Sequence, residues 1–335
     1  MNKFEAGKKV AFWRALVQWG FLAWIIAIGI RFGLFVRHFE SGGAAPYVSR
    51  PPGVEGFLPI GALVSLKHWL ANGFVHDVHP AALVLFLSFL VMSLLAKKSF
   101  CSWLCPVGTL SEGAWKLGRR LFGRTFKPWR WLDTLLRSLK YLLLFFFAKI
   151  ILLDMPARAL GAFMDAPYWA VSDVKMLHFF TRMSLTALVV ILVLTGLSLL
   201  YQNFWCRYLC PYGALMGLAS LLSPFKIRRA PERCTDCGAC SRACPAWLPV
   251  QQKARVCSPE CTGCLTCVEA CPERALAMAP PAVSPTFPRW VFPVLALSLY
   301  GGGVLLGMAT GHWETSLTTQ HYQQLIPLVL SLIHI

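Results

Sequence analysis

Five apolar stretches, near Phe12–Val36, Val78–Ala96, Leu135–Leu153, Met183–Tyr201 and Trp290–Met308, leave this chain few folds to choose from. Each is close to the roughly 20 residues a helix needs to cross ~30 Å of hydrocarbon. Inside a bilayer every backbone N–H and C=O must find a partner within the protein, and a helix supplies them all. The expected architecture is therefore an α-helical integral membrane protein of about five transmembrane helices. A hydrophobic content of 56% with 13 Trp in 335 residues agrees. Lys3, Lys8, Lys9 and Arg14 accompany the start of the first stretch and no small-residue cleavage site follows it. It reads as an uncleaved anchor and not as a signal peptide.

Basic residues set the expected orientation. Loop 97–140 holds ten of them, from Lys97 to Lys140, and the segment from Arg207 to Arg289 carries a similar load. Segments 38–77 and 154–178 carry only Arg50, Lys67, Arg158 and Lys175. By the positive-inside rule the N-terminus, loop 97–140 and the segment after the fourth stretch are cytoplasmic. The other two loops and the C-terminus fall outside. The net charge of +17 is thus a topology signal, with some cations placed to meet anionic lipid. It is split among helix flanks with no recognition motif, which argues against a nucleic-acid partner.

Between Cys234 and Pro272 one cysteine pattern is written twice, C-T-D-C-G-A-C-S-R-A-C-P and, sixteen residues on, C-T-G-C-L-T-C-V-E-A-C-P. In such runs three thiolates surround one iron–sulfur cube and the fourth, Pro-flanked cysteine serves the other cube. The expected ligand sets are Cys234, Cys237, Cys240 and Cys271 for one [4Fe–4S] cluster, and Cys261, Cys264, Cys267 and Cys244 for the second. Zinc ribbons use paired C-x-x-C too, but need neither the third cysteine nor the C-P ending. All thirteen cysteines fall on or near the expected cytoplasmic face, a reducing compartment where metal or redox chemistry is a better reading than disulfides. Cys257, just before the second run, reads as a bystander.

A second repeat lies in the apolar part. Phe100-Cys101-Ser102-Trp103-Leu104-Cys105-Pro106-Val107-Gly108-Thr109-Leu110 matches Trp205-Cys206-Arg207-Tyr208-Leu209-Cys210-Pro211-Tyr212-Gly213-Ala214-Leu215 in the pattern aromatic-C-x-x-L-C-P-x-G-x-L. Each copy follows a stretch running from outside to inside, so the core reads as two tandem helix hairpins of the parallel-repeat type. If the helix continues through a copy, its two cysteines share a face. They could then act as a redox thiol pair or lend ligands to a further metal. Proline after the second cysteine interrupts the helix there.

The duplicated C-x-x-x-C-P motifs followed by the double cluster run resemble the membrane polyferredoxins, the type found as the H subunit of the periplasmic nitrate reductase quinol dehydrogenase. Related architectures occur in the nitrous oxide reductase maturation protein and in a copper-reducing assembly protein of cytochrome oxidase. The resemblance spans about Val78 to Pro272. It implies a bacterial inner-membrane, multi-pass electron-transfer protein in which Cys101, Cys105, Cys206 and Cys210 form the membrane motif and the other eight cysteines hold clusters. Such a protein links the quinone pool or a cytoplasmic donor to a partner reductase. The alternative is an assembly or regulatory factor whose clusters and thiols reduce a metal such as copper. The chain departs from the nitrate reductase type by a further span after the clusters, and it lacks room for the large flavin domain of the nitrous oxide type.

The expected organisation follows. Residues 1–110 and 134–226 are the two membrane hairpins, each ending in C-x-x-x-C-P, with a basic loop at 111–133. Residues 227–282 form a small α+β domain for two clusters, 288–309 a fifth transmembrane helix and 310–335 an outside tail. The last six residues, 330–335, resemble translated sequencing adapter. His38, His68, His76, His79 and His178 read as interfacial hydrogen-bonding groups, since no haem attachment motif or tight pair accompanies them. Lys149 reads as snorkelling or pairing with Asp154, and Gly301, Gly302, Gly303 and Gly307 as a helix-packing surface.

Overall fold

The computed structural model describes residues 5–281 and 288–329, so the adapter-like 330–335 lie outside the described residues. The chain forms two compact units, one of residues 1–22, 89–144 and 191–300, the other of 23–88, 145–190 and 301–335. All thirteen cysteines belong to the first. The units do not follow the tandem hairpins. Each of the five boundaries between them falls instead inside one of the five apolar stretches.

Among the described residues two helices are long and apolar enough to cross a bilayer alone, Val10–Glu40 and Val291–Ala309. Ser172–Thr181 and Leu185–Leu200 pass that test only as a pair, bent by 75° at their junction. Pro80–Leu95 and Leu185–Leu200 run 16 residues each, short of the roughly 20 expected. The first of these begins at Pro80, where a missing N–H is harmless, and stops just before Lys97 turns to φ +58°. The third stretch is helical over Arg130–Ala148 and then widens into a π-helical turn, Lys149–Asp154. Lys149 and Asp154 close that turn with an ion pair at 2.5 Å, each about half exposed.

Within the first unit, β1 (Lys226–Arg229) pairs antiparallel with β2 (Arg255–Val256) on one side and β3 (Leu276–Ala279) on the other. Ile227 lies opposite both Val256 and Met278, and all three are buried. Short helices, Ala239–Ala243 and Thr266–Glu269, follow the C-x-x-C of each run. Sheet and short helices together are the expected α+β element. Two glycines of this unit mark close approaches: a Cβ on Gly118 would stand 1.8 Å from the Leu199 carbonyl, and one on Gly217 2.8 Å from that of Pro259.

The second unit packs Phe32, Phe35, Val36 and Phe39 of the long first helix against Val171, Val174, Tyr322 and Ile326. Beside this core Arg50 bridges two buried carboxylates, Asp173 at 2.7 Å and Glu55 at 2.9 Å. Glu55 also accepts from the Ala82 amide and stands 3.4 Å from His79 Nδ1. Four of the five histidines hydrogen-bond here: His79 Nε2 meets the Trp169 carbonyl at 2.8 Å, His38 the Ala45 carbonyl, and His178 the Glu40 carboxylate. His76 accepts from the Val78 amide, and its ring sits edge-on to His68. Gly303 and Gly307 pack Val291–Ala309 against Ser88 and Val84, where a Cβ would come within 2.0 and 2.6 Å of those side chains. Gly301 and Gly302 face open space.

Candidate functional site

Each four-cysteine set expected from the spacing lines one cavity. Cys234, Cys237, Cys240 and Cys271 line the first, with Pro272 and Gly238. Cys244, Cys261, Cys264 and Cys267 line the second, with Pro245 and Gly263. Each cavity thus takes three cysteines from one run and the C-P cysteine of the other. The first is the outer one, with Cys237 exposed and Cys234 and Cys271 partly so. The second is the inner one, with Cys244, Cys261 and Cys267 buried. Burial, followed by the charge of Cys264, pushes the Cys244 thiol up to about 12. A thiol held that high is a poor free nucleophile and gains from a metal that takes its proton's place. Four soft sulfur donors around a cavity fit an iron–sulfur cube.

The backbone that shapes the cavities repeats with the cysteines. In the first run Asp236, Gly238 and Trp247 have φ of +49°, +70° and +54°; in the second, Gly263, Leu265 and Arg274 have +67°, +60° and +50°. These are the residues two after the first cysteine, one after the second and three after the fourth. A left-handed non-glycine residue costs about 1–2 kcal/mol, and four of the six are not glycine. Such strain gathers at sites where the chain is bent round a ligand. Nothing in the residue types Trp247, Leu265 or Arg274 announces it; only the superposed frame of the two runs could have. Backbone and side-chain donors also reach the sulfurs, Ala275 N to Cys271 Sγ and Thr266 Oγ1 to Cys264 Sγ, each at 3.3 Å.

Both C-x-x-x-C-P motifs dock on the inner cavity. From the first, Ser102 Oγ donates to the Thr262 carbonyl at 2.7 Å and Trp103 Nε1 to that of Gly263 at 3.3 Å. From the second, Arg207 Nη1 donates to the Ala246 carbonyl at 3.1 Å and its guanidinium lies 4.1 Å over Trp247. Arg207 is held by a forked bond to Asp133, both arms 2.8 Å, and Tyr208 adds its hydroxyl to the same carboxylate at 2.7 Å. Burial works against Asp133 ionising, but the Arg207 and Tyr208 hydrogen bonds and the Arg207 charge hold it below the usual carboxylate range. A third tie runs from Lys140, whose ammonium meets both Glu260 oxygens at 2.7 Å, next to Cys261. Asp133, Lys140 and Glu260 were not legible as site residues, since their partners stand 74 and 120 positions away.

The helix does not continue through the motifs. Cys101 sits in the short helix Ser99–Trp103, whereas Cys105 is the N-cap of the next one, Pro106–Phe122. Cys206 sits in a π-turn, Trp205–Leu209, and Cys210 caps Pro211–Ala219. Each proline therefore starts a helix at its first position, where its missing N–H is no loss. Each capping sulfur accepts an amide, Gly108 N at 3.5 Å and Gly213 N at 3.2 Å. Crowding requires the first motif glycine: a Cβ on Gly108 would lie 2.4 Å from the Cys101 carbonyl. One on Gly213 would lie 3.4 Å from both Cys210 Sγ and Lys98 Nζ. The thiolate charges of Cys101, Cys206 and Cys210 act on the buried Lys98, and those of Cys101, Cys105 and Cys210 on Cys206. Burial pushes Cys101 up to about 11 and Cys105 to about 12. Cys257 is exposed and lines neither cavity.

Comparison with known proteins agrees with this layout. A family described as a 4Fe-4S binding domain matches twice, at residues 78–125 and 183–230, one match per C-x-x-x-C-P copy. A 4Fe-4S dicluster domain matches residues 226–272. YccM of Escherichia coli K12, provisionally named an electron transport protein, is 47% identical over 94% of this chain and 90% of its own length. The ferredoxin-type protein NapH of Haemophilus influenzae is 24% identical over 70% of this chain and 74% of its own. The regulatory protein NosR of Pseudomonas aeruginosa is 27% identical over 56% of this chain but only 26% of its own. No solved structure matches the chain.

Proposed function

Since the chain belongs to the membrane polyferredoxin family, we propose that it relays single electrons between the quinone pool of the bacterial inner membrane and a redox partner. Iron–sulfur electron transfer in a membrane is what the family and its relatives have in common. The finer reading assigns one [4Fe–4S] cluster to each cavity, with ligands Cys234, Cys237, Cys240 and Cys271 outside and Cys244, Cys261, Cys264 and Cys267 inside. It assigns five spans, supported by the fall of every unit boundary within an apolar stretch, and a cytoplasmic N-terminus and cluster domain, supported by the charge asymmetry.

The observation that carries the proposal is the docking of both membrane motifs on the inner cavity. Clusters bound in the two cavities would supply one-electron chemistry at potentials tuned by hydrogen bonds and exposure. The chain's own part is to hold them in order. Ser102, Trp103 and Arg207 fasten the inner cavity's loops to the membrane motifs, and the exposed Cys237 leaves the outer cavity open to a partner.

Full-length protein in liposomes tests this order when quinol is added anaerobically and cluster bleaching is followed in the visible range. Wild type should bleach completely. Cys237→Ser should leave the inner cluster reducible by quinol, and Cys264→Ser should leave the outer one dark to quinol but reducible by dithionite. Equal quinol reduction of the outer cluster in Cys264→Ser would refute the relay order. A wild type that ignores quinol while reducing added copper would instead favour an assembly or regulatory role.

A further inference from the structure

Halfway along the apolar helix Val291–Ala309 stands a phenol, Tyr300, the tenth of its 19 residues. We propose that its hydroxyl binds the head group of a lipid-borne quinone, beside the ring of Phe21 and at the outer end of an aromatic stack that leads to the first C-x-x-x-C-P motif. The site deepens the relay reading and rests on it only for the use made of the bound quinone.

The hydroxyl is the first reason. Among the described residues no group hydrogen-bonds it, and Tyr300 is only half-buried. The helix is long and apolar enough to cross a bilayer, which places its middle in hydrocarbon. No water is there to satisfy a phenol, and a polar group kept at that depth calls for a partner. An acceptor must then arrive through the lipid. Acyl chains carry none, and the ester carbonyls of phospholipids stay in the interfacial layer. A quinone differs from both: its ring is flat and apolar enough to enter hydrocarbon, and it bears carbonyl oxygens on opposite edges.

The rings are the second reason. Phe21 meets Tyr300 edge-on, centroids 5.6 Å apart, and keeps accessible surface of its own. Aromatic edges and faces of this kind favour a further flat ring. Tyr300 also lies parallel to Phe89, at 6.0 Å and 7° between planes, and Phe89 stacks on Phe100 at 3.8 Å. Both phenylalanines are buried, and Phe100 immediately precedes Cys101. The stack therefore joins a half-exposed pair in the membrane to the motif without a gap.

Reach is the third. The helix that carries Tyr300 starts against the inner cavity: a Cβ on Gly263, which lines that cavity, would come 2.9 Å from the buried ring of Phe292. From Phe292 to Tyr300 the helix rises about 12 Å. A head group at Tyr300 thus lies two turns of one helix from the cavity on which both membrane motifs dock.

The test titrates full-length protein in lipid nanodiscs with decylubiquinone and with menadione, followed by quenching of tryptophan fluorescence. An azido-ubiquinone then labels the site for peptide mapping. Expected are saturable binding, label on peptides holding Phe21 or Tyr300, and affinity about tenfold lower in Tyr300→Phe, the worth of one hydrogen bond. Phe21→Ala should weaken binding too. Tyr201→Phe, which loses a hydroxyl outside the stack, should bind as wild type. Tyr300→Phe keeps the stacked ring, so an unchanged thermal midpoint and iron content report that it is folded. Equal affinity in wild type and Tyr300→Phe, label confined to other peptides, or no saturable binding of either quinone to wild type would each overturn the site. Failure of the relay reading is distinct: quinol would then bind with this dependence on Tyr300 and still leave the clusters unbleached.

Discussion

Replacing Arg207 by Gln tests how the second membrane motif is fastened to the inner cavity. The guanidinium makes two bonds of 2.8 Å to Asp133, one of 3.1 Å to the Ala246 carbonyl and a stack on Trp247. Its side chain is only 5% exposed and that of Asp133 12%. Removing one partner of a buried pair costs about 3–5 kcal/mol, because the other charge is left behind. Asp133 would keep Tyr208 and Arg137, the latter at 3.1 Å from a side chain 29% exposed. A surface-type pair compensates by at most about 1 kcal/mol. The expected loss is thus at the lower end, about 3 kcal/mol, or roughly a hundredfold in the opening equilibrium of the loop after Cys244. Denaturant-induced bleaching of the inner cluster reads it, with Arg137→Gln as a control expected to move little. Asp133→Asn added to Arg207→Gln should recover part of the loss, since no carboxylate is then orphaned. Asp133 also ties the effect to pH. Its pKa is lowered on folding, so its stabilising contribution is complete above the ordinary carboxylate value of ~4 and disappears as pH falls through the folded value. The reasoning fails if Arg207→Gln behaves like Arg137→Gln, or if the double variant is additive within ~0.5 kcal/mol.

Other expectations are briefer. Gly118→Ala would push a methyl onto the Leu199 carbonyl, a backbone group that cannot swing aside, and should lower the thermal midpoint by the equivalent of about 3 kcal/mol, the upper end of overpacking penalties. Gly303→Leu should lose folded yield through its clash with Ser88, whereas Gly302→Leu, facing open space, should express as wild type; equal behaviour would show that the Val291–Ala309 helix does not pack as described. A reporter fused after Ser223 should be active only if it works in the cytoplasm, and one after Gly311 only if it works outside, with the reverse pattern overturning the orientation.

The spacing of the two runs divides eight cysteines into the same two fours that line the two cavities. The repeat of C-x-x-x-C-P was readable too, but not its geometry. Proline after Cys105 and Cys210 looks like a helix stop in one dimension and proves to be a helix start, with the cysteine as cap. Hydropathy marked five stretches without showing that Pro80–Leu95 and Leu185–Leu200 are cut to 16 residues by a proline and a bend. What stayed hidden is what depends on distant partners. Lys140 looks like one more loop cation until Glu260 is beside it, and Leu265 like a packing residue until its φ of +60° is seen. The packing reading held for Gly303 and Gly307 and not for Gly301 and Gly302, which the triplet Gly301-Gly302-Gly303 could not distinguish.

The exchange of the C-P cysteine between the runs also sets a timetable for biosynthesis. Three thiols of the outer cavity emerge within Cys234–Cys240, but the wall stays incomplete until Cys271 has been made, and the inner cavity waits from Cys244 until Cys267. Neither half can be finished and set aside while the other is translated. Val291, where the last apolar helix begins, follows Cys271 by only 20 residues. The ribosome and the insertion machinery therefore take up that helix just as both cavities become whole, and a cell short of iron would insert Val291–Ala309 beside a domain still waiting for its metal.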